Sequence, residues 1–382
     1  MRGGLRDSSE AQNGRAVCSH AAEKRKVADV RRTAMFANIV AALFLGGMAM
    51  GDNAALTAAK RAKKDEFYTQ RVDIENELRH YKAHFKDKVV LCNCDDPRES
   101  EFFKYFVENF EKLGLKRLIA TCYKSQDVDL FSQGDCERAI KQVYEGDKNG
   151  NMVLDDDEVG VSNLKGDGDF RSDECIEILK EADIVVTNPP FSLFREYVAQ
   201  LVKYGKKFLI IGNVNALTYK EIFPLIQHNE LWLGASIHSG DRKFGVPEGY
   251  PLNAAACGVD ENGQRFIRVK GVRWFTNLDY SQRHEKLPLY KKYTPEEFPK
   301  YDNYDAINVD KTSDIPCDYG GVMGVPITFM DKYSPEQFEI VGLIAGNIRG
   351  LAGIPSLTGK DGPYMGGKLK YGRILIRRRN GQ

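Results

Sequence analysis

Downstream of about residue 60, short apolar runs alternate with stretches whose apolar residues recur at helical spacing, and this alternation limits the possible folds most. Val89-Val90-Leu91-Cys92, Leu118-Ile119-Ala120, Ile184-Val185-Val186 and Phe208-Leu209-Ile210-Ile211 read as buried strands. Ile74, Leu78, Tyr81 and Phe85 mark one helix face, and Phe102, Phe103, Phe106, Phe110 and Leu113 mark a second. Phe194, Tyr197, Val198 and Leu201 mark a third; a short helix through Ile222 and Ile226 precedes a strand at Leu231-Trp232-Leu233. Strands and amphipathic helices in this order predict an α/β fold: a doubly wound, mostly parallel, Rossmann-like sheet with helices on both faces. Ligands bind such sheets at the carboxyl ends of the strands. Function is therefore expected in the loops after Cys92, Ala120, Phe170 and Val186.

Charge and cysteine usage narrow the class. The 382 residues carry 55 Lys+Arg against 54 Asp+Glu, so a nucleic-acid surface can come only from local clustering. Eight cysteines include a C-x-C at Cys92 and Cys94 but lack the paired spacing of a structural zinc site, and a reducing compartment is the simpler reading. Arg31-Arg32 followed by the apolar run Ala34 to Met50 resembles a secretory h-region at the short end of membrane-spanning length. A mis-assigned start, with Met48 or Met50 opening the chain, is preferred, because everything downstream reads as cytoplasmic and no stable membrane association is expected.

The sharpest motif is Asn188-Pro189-Pro190-Phe191, directly after the strand Ile184-Val185-Val186. Each proline fixes its own φ and keeps the preceding residue out of the helical region, so the loop is stiff where the strand stops. An amide and a nearby backbone carbonyl can accept both protons of an aryl amine and turn its lone pair toward an electrophile. Phe191 offers a flat face for the ring that carries the amine. Positioning then supplies most of the catalysis, and no covalent intermediate is required.

Two further signals are weaker. In Asn93-Cys94-Asp95-Asp96-Pro97-Arg98-Glu99, Asp96 can cap the Phe-rich helix, with Pro97 at its first position and Glu99 completing a capping box. That helix start suits an anionic group, and Asp95 could hold an amino group; plain capping is an equal reading. In Gly166-Asp167-Gly168-Asp169-Phe170, Asp169 and Phe170 could meet an adenine amine and ring, with a glycine-rich turn as the equal alternative. Asp147 to Glu158 places oxygens as a calcium loop does, but Met152 stands where the sharp turn needs glycine. Ile140 and Val143 hint at an entering helix there; a polar loop over the sheet edge is preferred, and no metal is expected.

Asp65-Glu-Phe-Tyr-Thr-Gln70, the 92–100 and 166–172 segments and Asn188-Pro-Pro-Phe191 together resemble the EcoRI-type adenine-specific DNA methyltransferases. The similarity runs from about residue 55 to the C-terminus. It implies S-adenosylmethionine as donor, double-stranded DNA as substrate, a flipped-out adenine methylated at N6, and a possible cognate restriction endonuclease. Asn188, Pro189, Pro190 and Phe191 match the catalytic motif; Tyr68 and Thr69 match the element closing over the donor's methionine part. Asp169 and Phe170 match the adenosine-contacting element, while Asn93, Asp95 and Asp96 stand where related enzymes have a Gly-rich donor loop. The chain then divides into an extension over 1–54, a catalytic domain over 55–275 and a target-recognition region over 276–382. Candidate DNA contacts are Lys63 and Lys64, Arg242 and Lys243 in an expected loop, and Arg377 and Arg378 in the basic tail. Two other readings are an amino-methyltransferase for RNA guanine or protein glutamine, and a non-catalytic DNA-binding protein that is membrane-tethered or calcium-regulated.

Overall fold

The computed structural model describes residues 67–123, 139–150, 158–246, 252, 257–346 and 350–379. Its first half runs β1 (Tyr68–Thr69), α1 (Arg71–Leu78), β2 (Val89–Cys94), α2 (Glu101–Glu108), α3 (Phe110–Leu113), β3 (Arg117–Cys122), β4 (Ile140–Tyr144) and β5 (Val159–Asn163). Then come α4 (Asp173–Glu181), β6 (Ile184–Thr187), α5 (Phe194–Lys203), β7 (Lys207–Asn213), α6 (Phe223–Gln227) and β8 (Trp232–Leu233). Strands β9 (Asp241–Gly245), β10 (Cys257–Val259), β11 (Arg265–Lys270) and β12 (Val272–Thr276) follow. The C-terminal part adds β13 (Ile307–Asn308), β14 (Met323–Val325), β15 (Phe338–Ile344), β16 (Tyr364–Met365), β17 (Lys368–Leu369) and β18 (Arg373–Arg378).

An eight-stranded mixed sheet, in the order β5-β4-β3-β2-β6-β7-β12-β8, organises the α/β part. The parallel pairing read from the sequence holds for the centre, β3-β2-β6-β7. The flanks are antiparallel instead. Only Gly271 separates β11 from β12, so the chain passes there directly from a second sheet into this one. Ile140 and Val143, expected on a helix, lie on β4, whose alternate residues Gln142 and Tyr144 point inward. The 147–158 segment therefore joins the two strands of an edge pair, and its residues 151–157 lie outside the described ones.

Strand periodicity decides what each face meets. Val90, Cys92, Leu118, Ala120, Ile184, Val186, Leu209, Ile211, Val272 and Trp274 point into one core shared with α1 and α2. There the Phe102 and Trp274 rings meet edge to face at 6.0 Å. The helix expected through Phe85 stops at Leu78 and resumes as a 3-10 turn at Lys82–His84, yet Ile74, Leu78, Tyr81 and Phe85 are all fully buried. On the opposite face Phe194 of α5 packs on Phe275 at 5.0 Å. A Cβ on Gly212 would come within 2.5 Å of the Phe194 ring, so that contact needs glycine. Each such buried aromatic contributes about 1.5–3 kcal/mol of transfer free energy.

A second sheet, β1-β9-β11-β10, is antiparallel. Its β9 is the stretch expected as a loop; Phe244 within it is buried, as a strand residue facing a core should be. Glu77 ties α1 to the chain entering β9: it is fully buried and accepts bonds from the Ala235 and Ser236 amides at 2.7 Å each. A third sheet, β13-β14-β18-β15, stands in the C-terminal part over buried Phe329, Phe338, Leu375 and Ile376. Arg273 of β12 reaches Asp331 through two bonds of 2.7 and 3.0 Å, both side chains buried, and joins the third sheet's layer to the first. Among the described residues no helix is long and apolar enough to cross a membrane, and no cluster suits a metal. The 34–50 run lies outside the described residues.

Arg273→Met should destabilise by about 3–5 kcal/mol in urea unfolding, because Asp331 stays buried and keeps only the half-exposed His238, 3.9 Å away, as a charge partner. The double variant Arg273→Met/Asp331→Leu should recover most of that loss. Equal destabilisation of the single and double variants would contradict a buried pair.

Candidate active site

The parallel register Val90↔Ile184 and Leu91↔Val185 makes β2 and β6 end at the same edge of the sheet. Two bonds fasten those ends: the Thr187 hydroxyl donates to the Asn93 carbonyl, and the Tyr197 hydroxyl of α5 donates to Asn93 Oδ1. Asn93 is thus a knot beneath the loops. Its amide oxygen is already committed.

Asn188 follows directly on β6, with Pro189 and Pro190 holding the chain extended; Pro190 has φ −52° and ψ 125°. Asn188 is 6% exposed. Its Nδ2 donates to the Phe67 carbonyl at 2.6 Å, while its Oδ1 is buried without a partner among the described residues. Phe191 is half-buried, and its ring meets those of Phe67 and Phe244 at 6.3 and 6.5 Å. Thr69 Oγ1 is a second buried oxygen without a partner, two residues beyond Phe67. A buried polar atom left unpaired costs about 1–3 kcal/mol, so a ligand that hydrogen-bonds these two oxygens recovers that cost.

After β2 the chain turns sharply. Cys94 has φ 82°, a left-handed conformation that a glycine would adopt without strain. The capping expectation is corrected here. Asp96 closes a turn over 97–99 through the Arg98 amide at 3.0 Å and holds the Arg98 guanidinium at 2.9 Å, and α2 starts only at Glu101. Ser100 precedes α2 and donates its hydroxyl to Asp95 at 3.3 Å. Asp95 is buried, and desolvation pushes its carboxyl up to about 8, with the Asp96 charge adding to the rise. A buried carboxylate with a single hydroxyl donor suits a cationic ligand group.

The 166–170 turn sits over the end of β3. Gly168 has φ 77°, and a Cβ there would lie 2.1 Å from the Cys122 carbonyl oxygen. Phe170 is buried against Tyr197 at 5.0 Å, and Gln200 of α5 holds its carbonyl at 2.8 Å. Asp169 is partly exposed, and Arg171 grips its carboxylate at 2.6 and 2.9 Å. Tyr68 lies half-buried in β1, paired with Gly245.

The described basic candidates are engaged with other groups of the chain. Arg242 approaches Asp73 at 3.6 Å and Lys243 pairs with Asp260 at 2.6 Å. Arg377 pairs with Glu339 at 3.4 Å, and Arg378 donates to the Cys317 carbonyl. Lys63 and Lys64 lie outside the described residues. Phe67 and Ser100 lie within the 65–70 and 92–100 segments that carry the resemblance, Tyr197 reads only as a helix-face residue, and no pattern marks Phe244 as part of the site.

Residues 55–379 match the family model described as adenine-specific methyltransferase EcoRI. The chain is 53% identical over 327 residues to type II methyltransferase M.EcoRI of Escherichia coli, covering 85% of this chain and 96% of that protein. It is 38% identical over 329 residues to type II methyltransferase M.MgeORF184P of Mycoplasma genitalium, covering 84% and 97%. Type II methyltransferase M.MpnI of Mycoplasma pneumoniae is 38% identical over 331 residues, covering 84% and 97%. No solved structure matches the chain. With a stiff Asn-Pro-Pro-Phe turn at the strand edge and a family match over most of its length, the chain belongs to the EcoRI family of adenine-specific methyltransferases.

Proposed function

We propose that this enzyme transfers a methyl group from S-adenosylmethionine to N6 of an adenine flipped out of double-stranded DNA at a specific site. The observation that carries the reading is the Asn188 amide: Nδ2 anchored on Phe67, Oδ1 buried and unpartnered at the strand edge. Oδ1 accepts one proton of the adenine amine, and a main-chain carbonyl of the Asn188-Pro189-Pro190 turn accepts the other. The amine lone pair is thereby drawn out of the ring. Phe191 stacks the base, which must leave the helix to reach a site at this depth. When bound, the donor supplies an electrophilic sulfonium methyl. The chain's own residues fit its polar ends: Asp95 would hold the ammonium group, the Thr69 hydroxyl and Tyr68 would close over the methionine part, and Asp169 with Phe170 would face the adenosyl part.

The central order β3-β2-β6-β7, parallel and covered by helices on both faces, supports a Rossmann-like doubly wound core within residues 55–275. Residues 276–382, with their own sheet, are proposed as the target-recognition region. A cognate restriction endonuclease and a cytoplasmic location complete the proposal. They are supported by the names of the relatives as type II methyltransferases. Among the basic candidates, Arg377 is exposed enough to contribute a phosphate contact.

Asn188→Ala should lower single-turnover methyl transfer to duplex DNA by about 10²–10³-fold, the loss expected for one preorganised polar contact. Donor affinity, read by calorimetry, should stay within about twofold, since the amide faces the base. Transfer to ribosomal RNA at a rate equal to that on duplex DNA would overturn the substrate assignment.

Asp95→Asn should weaken donor binding by about tenfold or more, the worth of a hydrogen bond to a charged group. The same change reads out in stability. Asp95 is raised from 3.8 to about 8 by burial, so the folded state holds its proton more tightly than the unfolded one. Stability of the ligand-free protein should therefore fall as pH climbs from about 4 toward 8, and Asp95→Asn should flatten that slope in pH-dependent urea titrations. A slope unchanged by the substitution would contradict the buried, raised carboxyl.

A further inference from the structure

We infer that the main-chain carbonyl of Phe67 fixes which way the Asn188 amide faces, and so admits asparagine but not ionised aspartate at position 188. The inference rests on the proposed role of Asn188 and adds a positioning device to it. An amide carries two donor hydrogens on one side and an acceptor oxygen on the other. The Asn188 Nδ2 lies 2.6 Å from the Phe67 oxygen, in a buried contact. Turning the amide over would set Oδ1 against that oxygen at the same separation, two acceptors with no proton between them. Only one orientation remains, and it leaves Oδ1 open at the strand edge.

The carbonyl is itself braced. Phe67 leads directly into β1, which pairs with β9 through Tyr68↔Gly245 and Thr69↔Phe244. The Phe67 ring packs on Phe244 at 6.0 Å and on Phe191 at 6.3 Å. A Cβ on Gly245 would come within 3.3 Å of the Tyr68 Cβ, so the two strands lie close at this point. Farther along, Glu77 of α1 holds the Ala235 and Ser236 amides, which fixes the chain that enters β9. Phe244 and Glu77 are positioning residues, acting on Asn188 through Phe67.

This brace makes the difference between Asn and Asp at position 188 testable. An ionised aspartate is acceptor-only, so it would face the Phe67 oxygen without a donor at a buried position. Protonated aspartate restores both contacts: its hydroxyl donates to Phe67, and its carbonyl oxygen stays free for the adenine amine. Burial and the facing carbonyl both disfavour the ionised form. The two possibilities predict opposite signs. Without the brace, ionised aspartate is the better acceptor, and Asn188→Asp would gain activity as pH rises. With the brace, it gains activity as pH falls.

The test measures single-turnover transfer to duplex DNA by wild type and Asn188→Asp from pH 5.5 to 9, with circular dichroism melts to check folding. The inference expects the ratio of Asn188→Asp to wild-type rate to rise about tenfold for each pH unit lowered above the aspartate's midpoint. A ratio that is flat, or that rises with pH, overturns it. Should Asn188→Asp not fold, Phe244→Leu decides: the inference expects a lower kcat with KM for DNA retained, and no further loss when Phe244→Leu is combined with Asn188→Ala. A wild-type kcat in Phe244→Leu, or losses that multiply in the double variant, overturns it. Wild type that methylates no duplex sinks the functional reading itself, a result distinct from an active wild type whose variant keeps a flat ratio.

Discussion

The parallel pairing of β2 with β6 is the constraint on which the site depends. It runs through Val90↔Ile184 and Leu91↔Val185 and brings two loops distant in sequence to one edge. Both strands are buried and β-branched or apolar, so the register is held by side chains on two faces; a slip by one residue would turn Val90 and Ile184 away from the aromatic core. The Thr187 and Tyr197 hydroxyls on Asn93 then fasten the strand ends beneath the loops. Asp95 and Asn188 stand just beyond that knot.

Several departures from local consistency gather at this edge. Cys94 adopts a left-handed backbone, Asp95 is a buried carboxyl, and Thr69 and Asn188 each keep a buried oxygen without a partner. Each departure is unfavourable in isolation by about 1–3 kcal/mol. Such departures persist where the surrounding core is well packed, and they cluster at functional sites. Glu77, equally buried, shows the contrast: its carboxylate meets Tyr81 and two backbone amides, and it serves the fold.

Much of this was legible in the residues. The central strands, the α2 and α5 faces and the place of Asn188 at a strand end follow from periodicity and proline chemistry, which act within a few residues. Most of what escaped depends on contacts far apart in the chain. Asp241–Gly245 reads as a polar loop because its apolar content is Phe244 alone; pairing with β1 and β11 makes it a strand. Asp96 looked like a helix cap, but its side chain is taken by the Arg98 turn and the helix waits until Glu101. The role of Phe67 lies in a carbonyl, and no side-chain pattern marks a carbonyl. Arg242 and Lys243 read as free in the sequence, whereas Asp73 on α1 and Asp260 in the turn after β10 lie within ion-pair distance of them.

The account turns on where the adenine amine comes to rest. A crystal structure of the enzyme with its target duplex and a non-reactive donor analogue measures this most directly. The expected result is an extruded adenine whose amine lies about 3 Å from Asn188 Oδ1, with Nδ2 still on the Phe67 carbonyl and the donor's ammonium group on Asp95. An adenine still stacked in the duplex, or one seated away from the 188–191 turn, would contradict it.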